Sequence, residues 1–216
     1  MLGKWFSQKK NEPKPQDDIS ILGLRIGCSF EIDSLLLKII EEQLVIEDSN
    51  NAHIIQAAGL VNLDGAYLFR FYTDDDAFLQ VVAEGGKNDE HVVDVKLYHF
   101  YDTLDISADS AWDTLLYKEI GVPTYELEGQ TYHRVWTSVD EYHNPVHMAE
   151  NTYDSEGNRS ATDQFTMLFE RPIKDGMTES LFLSAEETED PSGQLNRCLV
   201  ISTGITLTPS QITIHG

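Results

Sequence analysis

Three consecutive carboxylates, Asp74-Asp75-Asp76, interrupt the apolar, aromatic run from Tyr72 to Val81. Oxygen ligands at that density suit a hard divalent cation. The triplet lacks the alternate spacing and internal glycine of a calcium loop, so a turn whose aspartates bond nearby backbone amides is the better reading. Histidine supplies the second candidate chemistry. His143 and His147, with Glu141 and Glu150, have the residue types of a zinc site. Pro145 argues against a helix that would set the two imidazoles one turn apart. If 146–153 is a strand, His147 and Glu150 point to opposite faces. A site would then need a partner from another strand, such as His133 or His99. Asp74, Asp76, His133 and His147 stand as weak candidate ligands, and neither a metal nor a cofactor is expected.

Nucleophilic catalysis finds less support. Cys198 lies in Leu195-Asn196-Arg197-Cys198-Leu199-Val200-Ile201, a core-strand setting with no adjacent base. A reactive thiolate needs electropositive surroundings, and this chain is acidic. It has no Gly-x-Ser-x-Gly elbow, phosphate loop or Gly-x-Gly-x-x-Gly. No catalytic residue is assigned. Cys28 and Cys198 are too few and too far apart in sequence for a disulfide framework or zinc cluster, which points to two free thiols in a reducing cytoplasm. The net charge of −22 disfavours phosphate backbones and hence nucleic acid.

These residues must be held by strands. Asp64-Gly65 between Ile54–Leu63 and Ala66–Thr73 is a strong hairpin signal, because both turn positions tolerate positive φ. Glu128-Gly129 joins 125–127 to 131–137, Asp154 to Asn158 joins 146–153 to 164–171, and Lys174-Asp175-Gly176 leads into 178–184. Further strands are expected at 78–83, 91–101, 197–203 and 212–215. Glu186 to Asp190 reads as a solvated acidic loop before Pro191. One helix is expected near 33–45, with Asp33 as N-cap and Leu36, Leu37, Ile40 and Leu44 as its apolar stripe. A second is expected at 110–120, with Ser110 and Asp113 as a capping box and Gly121 as the stop. About ten strands without strand–helix alternation predict a β-rich α+β fold: mainly antiparallel, a curved sheet or partial barrel with two helices. Core packing accounts for most of Tyr98, Phe100, Tyr101, Trp112, Tyr132 and Trp136, while a ligand groove lined by a few of them stays open.

Residues 1–18 differ in character from 19–216, which read as one β-rich globular domain. Four lysines (4, 9, 10, 14) against Glu12, Asp17 and Asp18 leave the tail at +1 and the rest at −23, against a total of −22. Pro13 and Pro15 mark a flexible linker. Lys4, Trp5 and Phe6 are candidates for contact with an anionic membrane surface or a partner groove, at most peripherally. No apolar run reaches the ~18 residues a spanning helix needs, and the N-terminus lacks the apolar core of a signal peptide.

Tyr72-Thr73-Asp74-Asp75-Asp76-Ala77-Phe78-Leu79-Gln80-Val81, Tyr132-His133-Arg134-Val135-Trp136 and Leu183-Ser184-Ala185-Glu186-Glu187 together resemble the YjfK-like bacterial family, domain of unknown function 2491. The similarity runs from about Leu22 to the C-terminus. It implies a soluble bacterial protein and carries over no catalytic or binding residue. It also implies the company of phage-shock-type membrane-stress proteins and ATP-grasp enzymes. The resulting expectation is a cytoplasmic accessory or interaction protein with a protein partner, placed at the inner face of the membrane. The alternative is a metal-binding protein or enzyme built on an Asp/His cluster. A concave pocket gathering Asp74, Asp76, His133 or His147 would favour that alternative.

Overall fold

The computed structural model describes residues 19–46, 50–190 and 192–216. Lys4, Trp5 and Phe6, with the rest of the 1–18 tail, lie outside the described residues. Among the described residues there are twelve strands: β1 Ser29–Ile32, β2 Ala52–Leu63, β3 Ala66–Thr73, β4 Ala77–Glu84, β5 Val92–Asp105, β6 Thr124–Leu127, β7 Gln130–Arg134, β8 Val146–Asp154, β9 Arg159–Pro172, β10 Thr178–Glu189, β11 Leu195–Thr206 and β12 Ile212–His215. Every pairing between them is antiparallel.

The curved sheet closes on itself. Pairing runs β2-β3-β4-β5-β11-β10-β9, and β8 then bridges β9 back to β2, giving a closed barrel of 8 strands. Closure pairs every strand of the ring on both sides, which leaves β12 and β6 as the edge strands. β1 and β12 extend the sheet beside the start of β2, and the β6–β7 hairpin extends it beside the end of β9. The predicted turns form as expected. Asp64 and Gly65 adopt φ of 46° and 95°, and Glu128 and Gly129 adopt 50° and 71°.

Two corrections concern the ends of elements. β10 extends through Glu189, so Glu186 to Glu189 belong to a strand and not to a solvated loop. Pairing with both β9 and β11 carries these acidic residues on in register: Glu187 sits opposite Asp163 and Arg197. α1 spans Ser34–Ile40 with Asp33 as N-cap, accepting from the Leu35 amide at 2.9 Å, and a 3-10 turn follows at Glu41–Gln43. α2 spans Asp109–Thr114 and continues as a π-helical turn over Leu115–Glu119. Its N-cap is Ala108 without a side-chain cap, so the predicted Ser110–Asp113 capping box does not form. Ser110 lies inside the helix, where its carbonyl accepts from the Thr114 hydroxyl.

The two large apolar cores lie outside the barrel. Phe69, Phe71, Leu79, Val81 and Leu97 point outward from β3–β5 and are covered by residues 19–28, β1, α1 and β12. Met167, Phe169, Leu181, Leu183, Leu199 and Ile201 point outward from β9–β11 and pack under α2, its π-helical turn and the β6–β7 hairpin. Strands in a barrel covered on its outer surface are buried on both faces, and β3 and β4 show runs of consecutive buried residues accordingly. Period-2 alternation then sends every second side chain into the lumen.

Candidate functional site

The lumen of this barrel is polar. On β3, Leu68, Arg70 and Tyr72 alternate inward against outward Phe69 and Phe71. Val61, Leu68 and Met148 close one end as a small apolar plug. Above that plug Arg70 is fully buried, 1% exposed. Its Nη1 donates to Glu150 Oε2 at 2.7 Å and to Gln164 Oε1 at 2.6 Å, and its Nε donates to Gln80 Oε1 at 2.9 Å. The guanidinium also lies 5.8 Å and 5.4 Å from the ring centres of Phe78 and Phe182. Glu150 accepts a further bond from the Tyr72 hydroxyl at 2.9 Å and another from Gln164 Nε2 at 3.1 Å. Burial alone would pull the Arg70 pKa down. The neighbouring Glu150, and to a lesser degree Tyr72, outweigh it, so the guanidinium is held more firmly charged. Burial together with Glu150 pushes the Tyr72 phenol well above its ordinary value.

A glycine makes this geometry possible. Gly59 on β2 stands opposite Arg70 and Thr152. A Cβ there would fall 1.8 Å from Glu150 Oε1, so any side chain at 59 would collide with the carboxylate that holds Arg70. Gly204 plays the matching part on β11, where a Cβ would meet the Tyr98 ring at 2.6 Å.

Beyond the Arg70 layer the lumen opens into a cavity of about 250 Å³. Tyr72, Phe78, Phe100, Phe182, Val200 and Glu186 supply most of its character, with the hydroxyls of Thr152, Thr162, Ser184 and Ser202 between them. Eight-stranded barrels either fill their interior with side chains or hold one small ligand. Here the lumen is filled below and open above. Glu186 Oε1 accepts from Ser184 at 2.9 Å and from Gln164 at 3.2 Å. Burial raises its pKa despite these bonds and the nearby Arg70. Among the described residues the cavity lining contains no histidine, cysteine or lysine, so its hydroxyls have no imidazole or amine from these residues beside them to take a proton.

The residues singled out by type lie elsewhere. Asp74 accepts from the Ile54 amide at 3.0 Å, a donor on β2 and not in its own turn, and Asp76 adopts φ of 57° at the β3–β4 turn. Asp75 accepts from Thr73 at 2.7 Å and pairs with His53 Nδ1 at 2.9 Å. Burial pushes Asp75 up, but the bonds from His53 and Thr73 outweigh it and hold the carboxyl below its usual value. His147 points outward to Asp163 at 2.8 Å, while Glu150 of the same strand points into the lumen. His133 is exposed on β7. Asp74, Asp76, His133 and His147 do not converge, and among the described residues no group of three or more His, Cys, Asp or Glu side chains could hold a metal ion. The pocket exists, but it gathers none of the four.

The family described as "Protein of unknown function (DUF2491)" matches residues 1–213. The chain belongs to this family. It is also similar to the "Uncharacterized protein YjfK" of Escherichia coli (strain K12), 27% identical over 176 residues covering 80% of each chain. No solved structure matches the chain at a significant level. Among the described residues no helix is long and apolar enough to cross a membrane.

The lumen residues of this DUF2491 chain left one sequence signal. Arg70 sits inside Leu68-Phe69-Arg70-Phe71-Tyr72, and Gln80 inside Phe78-Leu79-Gln80-Val81. A lone long polar residue centred in an apolar strand must face either solvent or a polar interior. Which of the two holds depends on what covers the opposite face.

Proposed function

We propose that this protein is a binding protein whose barrel mouth receives one small organic molecule. The observation that supports this reading is the about 250 Å³ cavity stacked on a hydrogen-bonded polar floor. An engineered apolar cavity of about 150 Å³ takes a benzene ring, so a guest of about ten non-hydrogen atoms fits this one. The floor is preorganised: Arg70, Glu150 and Gln164 satisfy one another and need no guest to do so. A rigid, water-accessible recess lined by aromatic rings and a few hydroxyls is how small-molecule sites are commonly built. In this proposal the chain acts as an accessory protein that senses or presents its guest, which accords with the expected company of membrane-stress and ATP-grasp proteins.

The test is a fragment screen of about ten-atom compounds against the full chain, followed by protein-observed NMR. Hits should shift amides of β3, β4, β10 and β11 around the mouth. Val200→Trp should fill the recess and abolish those shifts while keeping the circular dichroism of the parent. Hits confined to the outer surface, or unaffected by Val200→Trp, would overturn the reading.

A further inference from the structure

Resting on the binding reading above, we infer that the cavity selects an organic cation: an ammonium or guanidinium group that reaches Glu186, carried on an apolar body that lies against Phe78, Phe100 and Phe182. The charges of the lumen argue for this. Arg70 and Glu150 cancel each other as a pair 2.7 Å apart. Glu186 is the remaining carboxylate of the cavity lining, and no cationic side chain pairs with it among the described residues. The hydrogen bonds to it from Ser184 and Gln164 both end on Oε1. Among the described residues Oε2 receives none, which leaves it open to a guest.

An anion is disfavoured by the same inventory. Among the described residues Arg70 is the one cation of the lining. Gln80, Glu150, Gln164 and the Met148 sulfur engage all but one of its N–H donors. A guest carboxylate or phosphate would therefore meet Glu150 and Glu186 with one guanidinium N–H and neutral hydroxyls to offset them. The rings favour a cation in turn, because their faces carry partial negative charge. Arg70 already uses the rings of Phe78 and Phe182 in this way. Phe100, 38% exposed at the mouth and 5.3 Å from the ring of Phe78, offers a further face.

The approach to the mouth carries the same sign. The turns on this side are β3–β4, β8–β9 and β10–β11. They hold Asp74 to Asp76, then Asp154 and Glu156, then Asp190, with Arg159 as their basic residue. Walls of one sign focus the field and raise the local concentration of counter-ions, here cations.

The experiment compares three probes of similar size on the full-length protein by NMR titration: phenethylammonium, 2-phenylethanol and phenylacetate. The ammonium should bind at least tenfold more tightly than the alcohol, with phenylacetate weakest. Glu186→Gln keeps the shape and removes the charge, and it should bring the ammonium down to the level of the alcohol. Val200→Trp should remove binding of all three. Equal affinity of ammonium and alcohol, both lost in Val200→Trp, would overturn the cation selectivity and leave the cavity reading standing. Ammonium binding that survives Val200→Trp would reflect the acidic surface and overturn both. So would failure of all three probes to shift amides at the mouth. Tighter binding of a short lysine peptide than of the free amine would overturn the small-molecule source in favour of a partner's side chain.

Discussion

Replacing Arg70 with methionine keeps most of the volume of the side chain and removes its charge. Glu150 would then remain in the lumen with its bonds from Tyr72 and Gln164 but without a counter-ion. The side chains of the pair are 2% and 1% exposed, so solvent screens neither. Removing one partner of such a pair costs about 3–5 kcal/mol, because the other is left as an uncompensated buried charge. For a chain of this size each kcal/mol moves the melting temperature by about 2–4 °C, so the expected drop is about 6–20 °C. Deleting the second charge as well, in Arg70→Met/Glu150→Met, should recover a large part of the loss, giving a coupling of about 1–3 kcal/mol. Urea titrations of the parent, the two single variants and the double variant close the cycle. A loss below about 1 kcal/mol in Arg70→Met, or strict additivity in the double variant, would show a lumen wet enough to screen the pair and would refute the dry polar floor.

Three further predictions follow from particular contacts. Gly59→Ala should destabilise by about 1–3 kcal/mol, read as a lower thermal midpoint, because its Cβ would lie 1.8 Å from Glu150 Oε1. Burial, with His53 nearby, pushes His99 down to about 4 from an ordinary 6.5, so the unfolded chain binds this proton first. Stability should fall as pH drops from 6.5 to about 4, by roughly 3 kcal/mol at most, and His99→Gln should flatten that part of the profile measured by urea unfolding. Burial and the nearby Glu186 push the Cys198 thiol up to about 11, and Cys28 is buried; both are free. The native protein should therefore react slowly with an aromatic disulfide reagent at neutral pH, and the denatured protein should release two thiols at once.

Local chemistry was enough to place most elements. Asp64-Gly65 and Glu128-Gly129 demand positive φ whatever surrounds them, and the hairpins they close formed where the residues said. β3 matched its expected bounds and Asp33 capped α1, because the Asp64-Gly65 turn and the cap rest on contacts within a few residues; β12 matched as well, although its partner β1 is remote in sequence. Where competing local signals were close in strength, context decided. Ser110 and Asp113 have the spacing of a capping box, yet the helix starts earlier and swallows Ser110. β1 leaves no turn signal of its own in the sequence, and its partners, β2 and the C-terminal β12, are remote.

Sequence composition and hairpin grammar alone determined an acidic, antiparallel, β-rich protein, and the three motifs quoted for it carried the family. Only the tertiary structure decided that the sheet closes, and with closure the meaning of its polar residues changed. Glu186 looked like part of a solvated acidic stretch, and Arg70 like one polar residue in an apolar strand. Both became lumen residues because α1, α2 and the flanking strands cover the outer face, leaving the inner face to the alternate side chains. The partners of Arg70 lie 10, 80 and 94 residues away, at Gln80, Glu150 and Gln164. Spacing along the chain cannot encode a cluster assembled across four strands. It exists only once the register of β3, β4, β8 and β9 is set and the ring of strands has closed.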